Sequence, residues 1–350
     1  MNKRIDWIDI IKYICIIFVF FNHTVFNNDF FQSFYYNFFL FGFFFASGYT
    51  YKNNSSFYPF IVKKAKTLLV PWLVFGIANL LLAHVFSFNS HLPLSEELFL
   101  FFLQVRGLYD GMWFLTALFV TYIPFFFFIR KFVSLENKKQ NRLILLAISL
   151  ALSIISRVYL ALMPTSFFPW NRAELPWHLE YVFVAMFWMV FGYLFRNNYE
   201  EIFDKRISAY AKIMIIVAYC ILVWIIKPVV IPDEAKNVLV TYLYYYIAEA
   251  FAILSLIFVS KCIKPNKYML YIGQNTLICF GLHGKLTSFC EKLLNSFIGD
   301  LSGILQNTIL STLCGIVLAL TISLLLIIPI YVINRYFPFI LGKPRIKGAK

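Results

Sequence analysis

The chain has 350 residues, of which 61% are hydrophobic and only 14% are charged, and its mean hydropathy is +0.74. A soluble domain of this size needs more polar surface, so the composition excludes a soluble globular protein and indicates an all-α polytopic membrane protein. The apolar runs are continuous for about twenty residues, whereas the strands of a transmembrane barrel alternate apolar and polar residues over about ten positions.

These runs predict about ten transmembrane helices. Most of the 31 Lys and Arg residues lie in loops on the same side as the N-terminus, which predicts that both termini are cytoplasmic. The net charge of +14 is then mainly an orientation signal, and no nucleic-acid partner is expected. We expect one integral membrane domain over residues 1–350 that ends in a basic cytoplasmic tail at 336–350. The predicted helices cover residues 6–27, 34–52, 67–88, 111–130, 143–163, 177–196, 208–227, 238–260, 268–292 and 302–335.

The first predicted helix contains two polar interruptions, Lys12 and His23. A charged side chain inside a membrane helix is costly and by default marks a functional site. The spacing puts both residues on one helix face, about 16 Å apart along the axis. Asp9, one turn before Lys12, is expected to hold its ammonium group. The alternative is that Lys12 only extends to the cytoplasmic surface and that His23 is a structural polar residue.

The pattern Asp9-x-x-Lys12-x10-His23 resembles the Arg/Lys-x10-His signature that opens the membrane-bound acyltransferase family 3. Members of this family O-acylate sugars and other hydroxyl acceptors. Further stretches resemble motifs of the family in the same order along the chain, and one of them is similar to its fucose O-acetylase-like branch. These stretches are the helix around Ser47-Gly48, the basic turn before Pro71-Trp72, Trp113-Phe114-Leu115, Leu175 to Glu180, and Tyr271 to His283.

The resemblance implies a donor site on the cytoplasmic side. Lys63, Lys64 and Lys66 form a cationic turn that would bind the phosphates of acetyl-CoA together with Lys12. Ordinary positive-inside charge explains the same lysines equally well. The helix around Ser47 borders the active site in the family, so Ser47 is expected near the donor, and its neighbour Gly48 is expected to allow close backbone approach.

The remaining site residues are expected to serve the acceptor. Trp113 would offer a ring face to a sugar, although membrane anchoring explains it as well. Arg157, predicted inside a membrane helix, needs a partner or a water-filled cavity. Glu180 would orient the catalytic histidine or bind an acceptor hydroxyl, or simply cap its helix. His283 would bind substrate, or form a structural hydrogen bond.

The resemblance implies a membrane O-acyltransferase of a bacterial-type cell membrane that transfers an acetyl group from acetyl-CoA to a cell-surface glycan or lipid-linked sugar. His23 would act as general base or carry the acyl group, with Asp9 supporting Lys12. The six cysteines lack metal-ligand spacing, so no metal is expected. Membrane lipids are the other expected partner. The alternatives are a glycan exporter without acyl transfer, and a structural scaffold, which leaves the intramembrane polar residues unexplained.

Overall fold

The computed structural model describes residues 4–85, 92–108, 112–133, 138–230, 237–299 and 301–343, so most of the predicted basic tail, from residue 344 onward, lies outside the described residues. The described part is helical and contains no β-strand, which agrees with the predicted all-α class. Seven of its helices are long and apolar enough to cross a membrane. These are Phe57–Val85, Trp113–Phe132, Gln140–Leu162, Pro176–Lys205, Ala209–Val229, Val238–Cys262 and Thr308–Tyr336.

The contacts between residues divide the chain into two compact units, which are described separately. The first unit comprises residues 1–46 and 200–332, and the second comprises residues 47–199 and 333–350. Two helices, α3 (Phe41–Tyr49) and α18 (Ile327–Tyr336), cross the boundaries between these ranges. The other described α-helices of the first unit are α1 (Asp6–Asn22), α2 (Asp29–Tyr35), α10 (Glu200–Lys205), α11 (Ala209–Ile221), α12 (Lys227–Val230), α13 (Val238–Cys262), α14 (Lys267–Gln274), α15 (Thr276–Ile298), α16 (Ser302–Gln306) and α17 (Thr308–Leu325).

The first unit is packed around α1. This helix contacts α13, α14, α15 and α17, and it buries most of its side chains, including the carboxylate of Asp9. Gly273 of α14 lies directly against the backbone of Asp9, where an added Cβ would overlap the Asp9 carbonyl. Such close approach is typical of helix packing inside membranes, where small residues replace the hydrophobic effect as the source of association.

Three of the about ten predicted spans are shorter or interrupted, which accounts for the difference from seven. The predicted helix 6–27 ends at Asn22, because the Thr24 N–H and hydroxyl both bond to the Phe21 carbonyl. The predicted helix 34–52 is divided into α2 and α3 by a turn in which the buried Asn37 amide donates to the Ser33 carbonyl. The predicted helix 268–292 is divided at Asn275 into α14 and α15.

The second unit is packed around α9 (Val182–Leu194), which contacts α7 (Trp113–Val133) and α8 (Lys138–Leu162). A 3-10 turn, Pro176–Tyr181, precedes α9 and contacts the same two helices. Gly48 of α3 lies against the Met189 backbone, so the close approach expected at this glycine is present. The remaining described α-helices of this unit are α4 (Phe57–Lys64), α5 (Val70–Val85) and α6 (Leu94–Leu103). Its shorter turns are π turns at Ala65–Leu69 and Phe195–Tyr199 and 3-10 turns at Thr165–Phe167 and Pro338–Leu341.

We expect Gly48→Ala to destabilise the second unit, because the new methyl group would overlap the Met189 carbonyl and the α3 and α9 backbones would have to separate. Overpacking of this kind costs about 1–3 kcal/mol, which lowers the melting temperature by several degrees. Thermal unfolding in detergent measures the effect. Gly284→Ala is the control, since nothing lies within 4 Å of its added Cβ. Equal melting temperatures for wild type and Gly48→Ala would contradict the close approach.

Candidate functional site

The beginning of α1 carries an ion pair. The Lys12 Nζ atom lies 2.5 Å from Asp9 Oδ1, and the two side chains are 25% and 5% exposed. The other carboxylate oxygen, Asp9 Oδ2, is buried and has no hydrogen-bond partner among the described residues. Because Gly273 also presses on the Asp9 backbone, the ammonium group of Lys12 is held in place against packed helices.

The other end of α1 carries a pair of histidines. His23 is the C-cap residue of α1 and is exposed, whereas His283 of α15 is only 7% exposed. Their ring centroids are 4.9 Å apart and the ring planes are inclined by 60°. The rings of Phe20 and Phe280 stack on His283 at 5.6 and 5.7 Å. The structure therefore brings together two site residues that are 260 positions apart in the sequence.

A backbone hydrogen bond orients the buried member of this pair. His283 Nδ1 lies 2.8 Å from the Phe280 carbonyl oxygen, which can only accept. The geometry therefore assigns the proton to Nδ1 and leaves a lone pair on Nε2. A neutral imidazole of this tautomer can accept a hydrogen bond from a hydroxyl group.

The turn that follows His23 is held by α15. The Val25 N–H donates to Glu291 Oε1 at 2.7 Å, and the Thr24 hydroxyl donates to the Phe21 carbonyl at 2.9 Å. Next to it, the Tyr35 hydroxyl lies 2.8 Å from Oδ1 of Asn22. Because α15 supplies both His283 and Glu291, the position of His23 depends on one neighbouring helix from two directions. The sequence does not indicate Glu291 as a site residue, because no motif predicts its hydrogen bond to the Val25 N–H.

The basic turn in the second unit contains lysines of two kinds. Lys63 and Lys66 are exposed. The Lys64 ammonium instead lies 3.7 Å from the centre of the Tyr122 ring, a cation–π contact that holds it against α7. Lys66 lies in the π turn Ala65–Leu69, and Gly342 packs on the Lys66 carbonyl. Lys63 and Lys66 are thus the members of the turn that remain accessible to an anionic ligand.

Trp113 and Glu180 meet around a third residue, His178. Glu180 Oε1 lies 3.5 Å from His178 Nδ1, and the centroid of the Trp113 ring lies 4.9 Å from that of the imidazole. Glu180 Oε2 accepts the Leu175 N–H at 2.8 Å, as a capping carboxylate does. Glu180 therefore accompanies a histidine of its own turn, His178, which no sequence motif indicated. Two residues apart on a helix point in different directions, so the sequence offered no signal for this pair.

Three further expectations concern the second unit. Arg157 of α8 is 9% exposed, and the hydroxyl of its neighbour Ser156 donates to the Glu180 carbonyl. Ser47 lies in α3 next to Gly48, which packs against the Met189 backbone. This contact is a packing contact and does not test the expected role of Ser47 at the donor. Lys64 meets α7 at Tyr122, about 14 Å along the helix from Trp113. The structure therefore does not join the basic turn to Trp113, His178 and Glu180, which together form the Trp113 cluster.

The described residues contain no group of three or more His, Cys, Asp or Glu side chains that could hold a metal ion. The chemistry that the described groups can supply is that of hydrogen bonding, proton transfer and binding of anions. Two exposed lysines suit an anionic ligand, and imidazole nitrogens suit transfer of a hydroxyl proton.

We expect Glu291→Ala to loosen the turn after His23, because the Val25 N–H loses its carboxylate partner. A hydrogen bond to a charged group is worth about 1.5–3 kcal/mol, so the exchange protection of the Val25 amide should fall roughly tenfold or more. Hydrogen exchange followed by mass spectrometry measures this. Ser288→Ala, on the exposed part of the same helix, is the control. Unchanged exchange at Val25 in Glu291→Ala would rule out this role.

A comparison with family models gives one finding. A model described as an acyltransferase domain, of acyltransferase family 3, matches residues 5–328, which includes both ends of α1, the basic turn, the Trp113 cluster and His283. No curated protein and no solved structure matches the chain. Seven described helices have the length and apolar composition of membrane spans. The chain therefore belongs to the acyltransferase family 3 domain family and is a multi-pass membrane acyltransferase.

Proposed function

We propose that the protein transfers an acetyl group from acetyl-CoA to a hydroxyl of a cell-surface glycan or of its lipid-linked sugar precursor, in the sugar O-acetyltransferase branch of the family. The observation that carries this proposal is the exposed His23 imidazole beside His283, on a helix whose other end holds the Asp9–Lys12 ion pair. A base that is accessible and a fixed cation on one helix fit a reaction between a neutral hydroxyl and an anionic donor.

In this mechanism a ring nitrogen of His23 removes the proton from the acceptor hydroxyl as its oxygen attacks the thioester carbonyl. The new C–O bond forms, the C–S bond breaks, and the CoA sulfur leaves and takes up the proton from the imidazolium. Atoms and charge balance without a metal or redox partner. His283 supports the step by accepting a hydrogen bond from the substrate at Nε2, for which its bond to the Phe280 carbonyl prepares it.

The donor is held by its negative charges. Lys12 acts as a fixed cation at one end of α1, and the exposed Lys63 and Lys66 bind phosphates at the basic turn. Ser47 contacts the pantetheine arm. We assign Lys64 to packing, since the Tyr122 ring already faces its ammonium. The family match over residues 5–328 supports acyl transfer in general, and these assignments extend it to the donor.

The proposal also includes an orientation in the membrane. The basic loops favour a cytoplasmic position for the N-terminus, the C-terminus and the turn at Lys63 and Lys66, in a bacterial-type cell membrane. Acetyl-CoA is then taken up on the cytoplasmic side. In this proposal α1 and the interrupted segments α2–α3 and α14–α15 also cross the membrane, which together with the seven long helices gives about ten spans.

We expect His23→Ala to reduce acetyl transfer by about 10²–10⁴-fold, the usual contribution of a general base. The acceptor is the envelope glycan fraction of the expressing cells, from which mild alkali has removed the ester groups. The assay measures transfer of labelled acetyl from acetyl-CoA to this fraction. Release of free CoA thiol is followed in parallel. His84→Asn, which alters a histidine paired with Glu97 in the second unit, is the matched control.

Two outcomes would reject the proposal. A folded His23→Ala protein with wild-type transfer would remove His23 from the chemistry. A wild type that releases no thiol, but moves glycan across vesicle membranes, would be the exporter instead.

We expect the double variant Lys63→Gln/Lys66→Gln to raise the KM for acetyl-CoA about two- to tenfold, because two exposed cations are lost. Added salt should raise the KM of the wild type more than that of the variant, since screening weakens exposed charge pairs. Lys64→Gln is the comparison, and it should mainly lower the melting temperature through the lost Tyr122 contact. A larger effect on KM from Lys64→Gln than from the double variant would reverse this assignment.

A further inference from the structure

His178 is a buried histidine, and one of its ring nitrogens has no hydrogen-bond partner among the described residues. It is 1% exposed, its Nδ1 atom lies 3.5 Å from Glu180 Oε1, and its Nε2 atom has no hydrogen-bond partner among the described residues. Buried polar atoms in proteins nearly always have a partner, so an unpartnered ring nitrogen calls for a ligand or an ordered water. The mechanism proposed above makes no use of His178.

The backbone around His178 is held in an unusual conformation. Trp177 and His178 both have positive φ, at 57° and 55°, which is unfavourable for residues other than glycine. Hydrogen bonds hold this conformation: the Trp177 N–H donates to the Gln104 carbonyl at 3.1 Å, and its indole N–H donates to the Phe102 carbonyl at 2.9 Å. The turn thus fixes the imidazole beside Glu180 at a conformational cost, a pattern that clusters at binding sites.

The Glu180 carboxylate determines what His178 can bind. A carboxylate oxygen at Nδ1 favours the tautomer with the proton on that nitrogen, which leaves Nε2 as a hydrogen-bond acceptor. The matching ligand atom is a donor, such as a hydroxyl group. A cation would not suit Nε2 alone, because the described residues supply no group of three ligands for a metal ion.

Trp113 supplies a flat face beside this acceptor. Its ring centroid is 4.9 Å from that of His178, and unlike the imidazole it is partly exposed. Arg106 lies 5.8 Å from the same indole. An aromatic face with one fixed hydrogen-bond acceptor at its edge matches a sugar ring, which presents C–H groups on its faces and hydroxyls around its rim.

We propose that His178 Nε2 accepts a hydrogen bond from a hydroxyl of the acceptor glycan while the sugar packs on Trp113. This inference rests on the proposed function, because the glycan is the acceptor named there. It adds a binding residue, His178, and assigns Glu180 the role of fixing the tautomer of His178. Because Nε2 is buried, the sugar reaches it only after a side chain around the imidazole moves aside; Trp113, in contact with His178, is partly exposed.

The test is His178→Asn. Asparagine tolerates positive φ and keeps an amide facing Glu180, but it has no atom at the position of Nε2. In the transfer assay with the alkali-treated envelope glycan fraction, the half-saturating glycan concentration should rise about three- to tenfold, as loss of one hydrogen bond predicts. The half-saturating acetyl-CoA concentration should not change. His84→Asn is the control, because it alters another His–Glu pair in the same unit.

Thermal unfolding checks that His178→Asn is folded. If it is not, Trp113→Leu replaces it, with Trp113→Phe expected to restore binding because it keeps a ring face. The assignment is overturned if the wild type transfers acetyl and the folded His178→Asn protein has the same half-saturating glycan concentration. The Nε2 atom would then bind only a buried water. A wild type that transfers no acetyl would overturn the proposed function, and the glycan assignment with it.

Discussion

The close packing of the α14–α15 segment along α1 is the constraint on which the candidate active site depends. At the start of α1, Gly273 lies against the backbone of Asp9, the partner of Lys12. At its end, His283 lies against His23. The two helices of one interrupted segment thus determine the position of both polar groups of α1. Because a membrane interior offers little hydrophobic driving force between helices, this arrangement depends on the fit of small residues and on hydrogen bonds.

The second unit uses backbone conformation for the same purpose. Its polar cluster lies in the 3-10 turn before α9, where two consecutive left-handed residues bring His178 beside Glu180. A regular helix start would have directed these two side chains apart. The cost of the turn is offset by hydrogen bonds to the Gln104 and Phe102 carbonyls, so the site is built by contacts from a distant part of the sequence.

Much of the fold could be predicted from the sequence because long apolar runs report directly on membrane spans. The all-α class, seven of the spans and the close approach at Gly48 followed from local patterns. The interruptions did not, because the turn at Asn37 depends on an amide that also contacts the Tyr219 hydroxyl at 3.3 Å, far away in the chain. The site shows the same division. The family signature selected His23 and Lys12, whereas His178 and Glu291 become visible only through their contacts.

The π turn at Ala65–Leu69 has a consequence for how this protein can differ from its relatives. A π turn accommodates one residue more than an α-helical turn, and one residue corresponds to a rotation of about 100° around the helix axis. Lys63 and Lys64, which precede the turn, therefore have an angular relation to the buried Trp72 after it that is set by the extra residue. A homologue shortened by one residue here would keep the buried face of α5 but would point the side chain at the position of Lys63 in a different direction. A single insertion or deletion could therefore redirect part of an anion-binding surface without any change in the core.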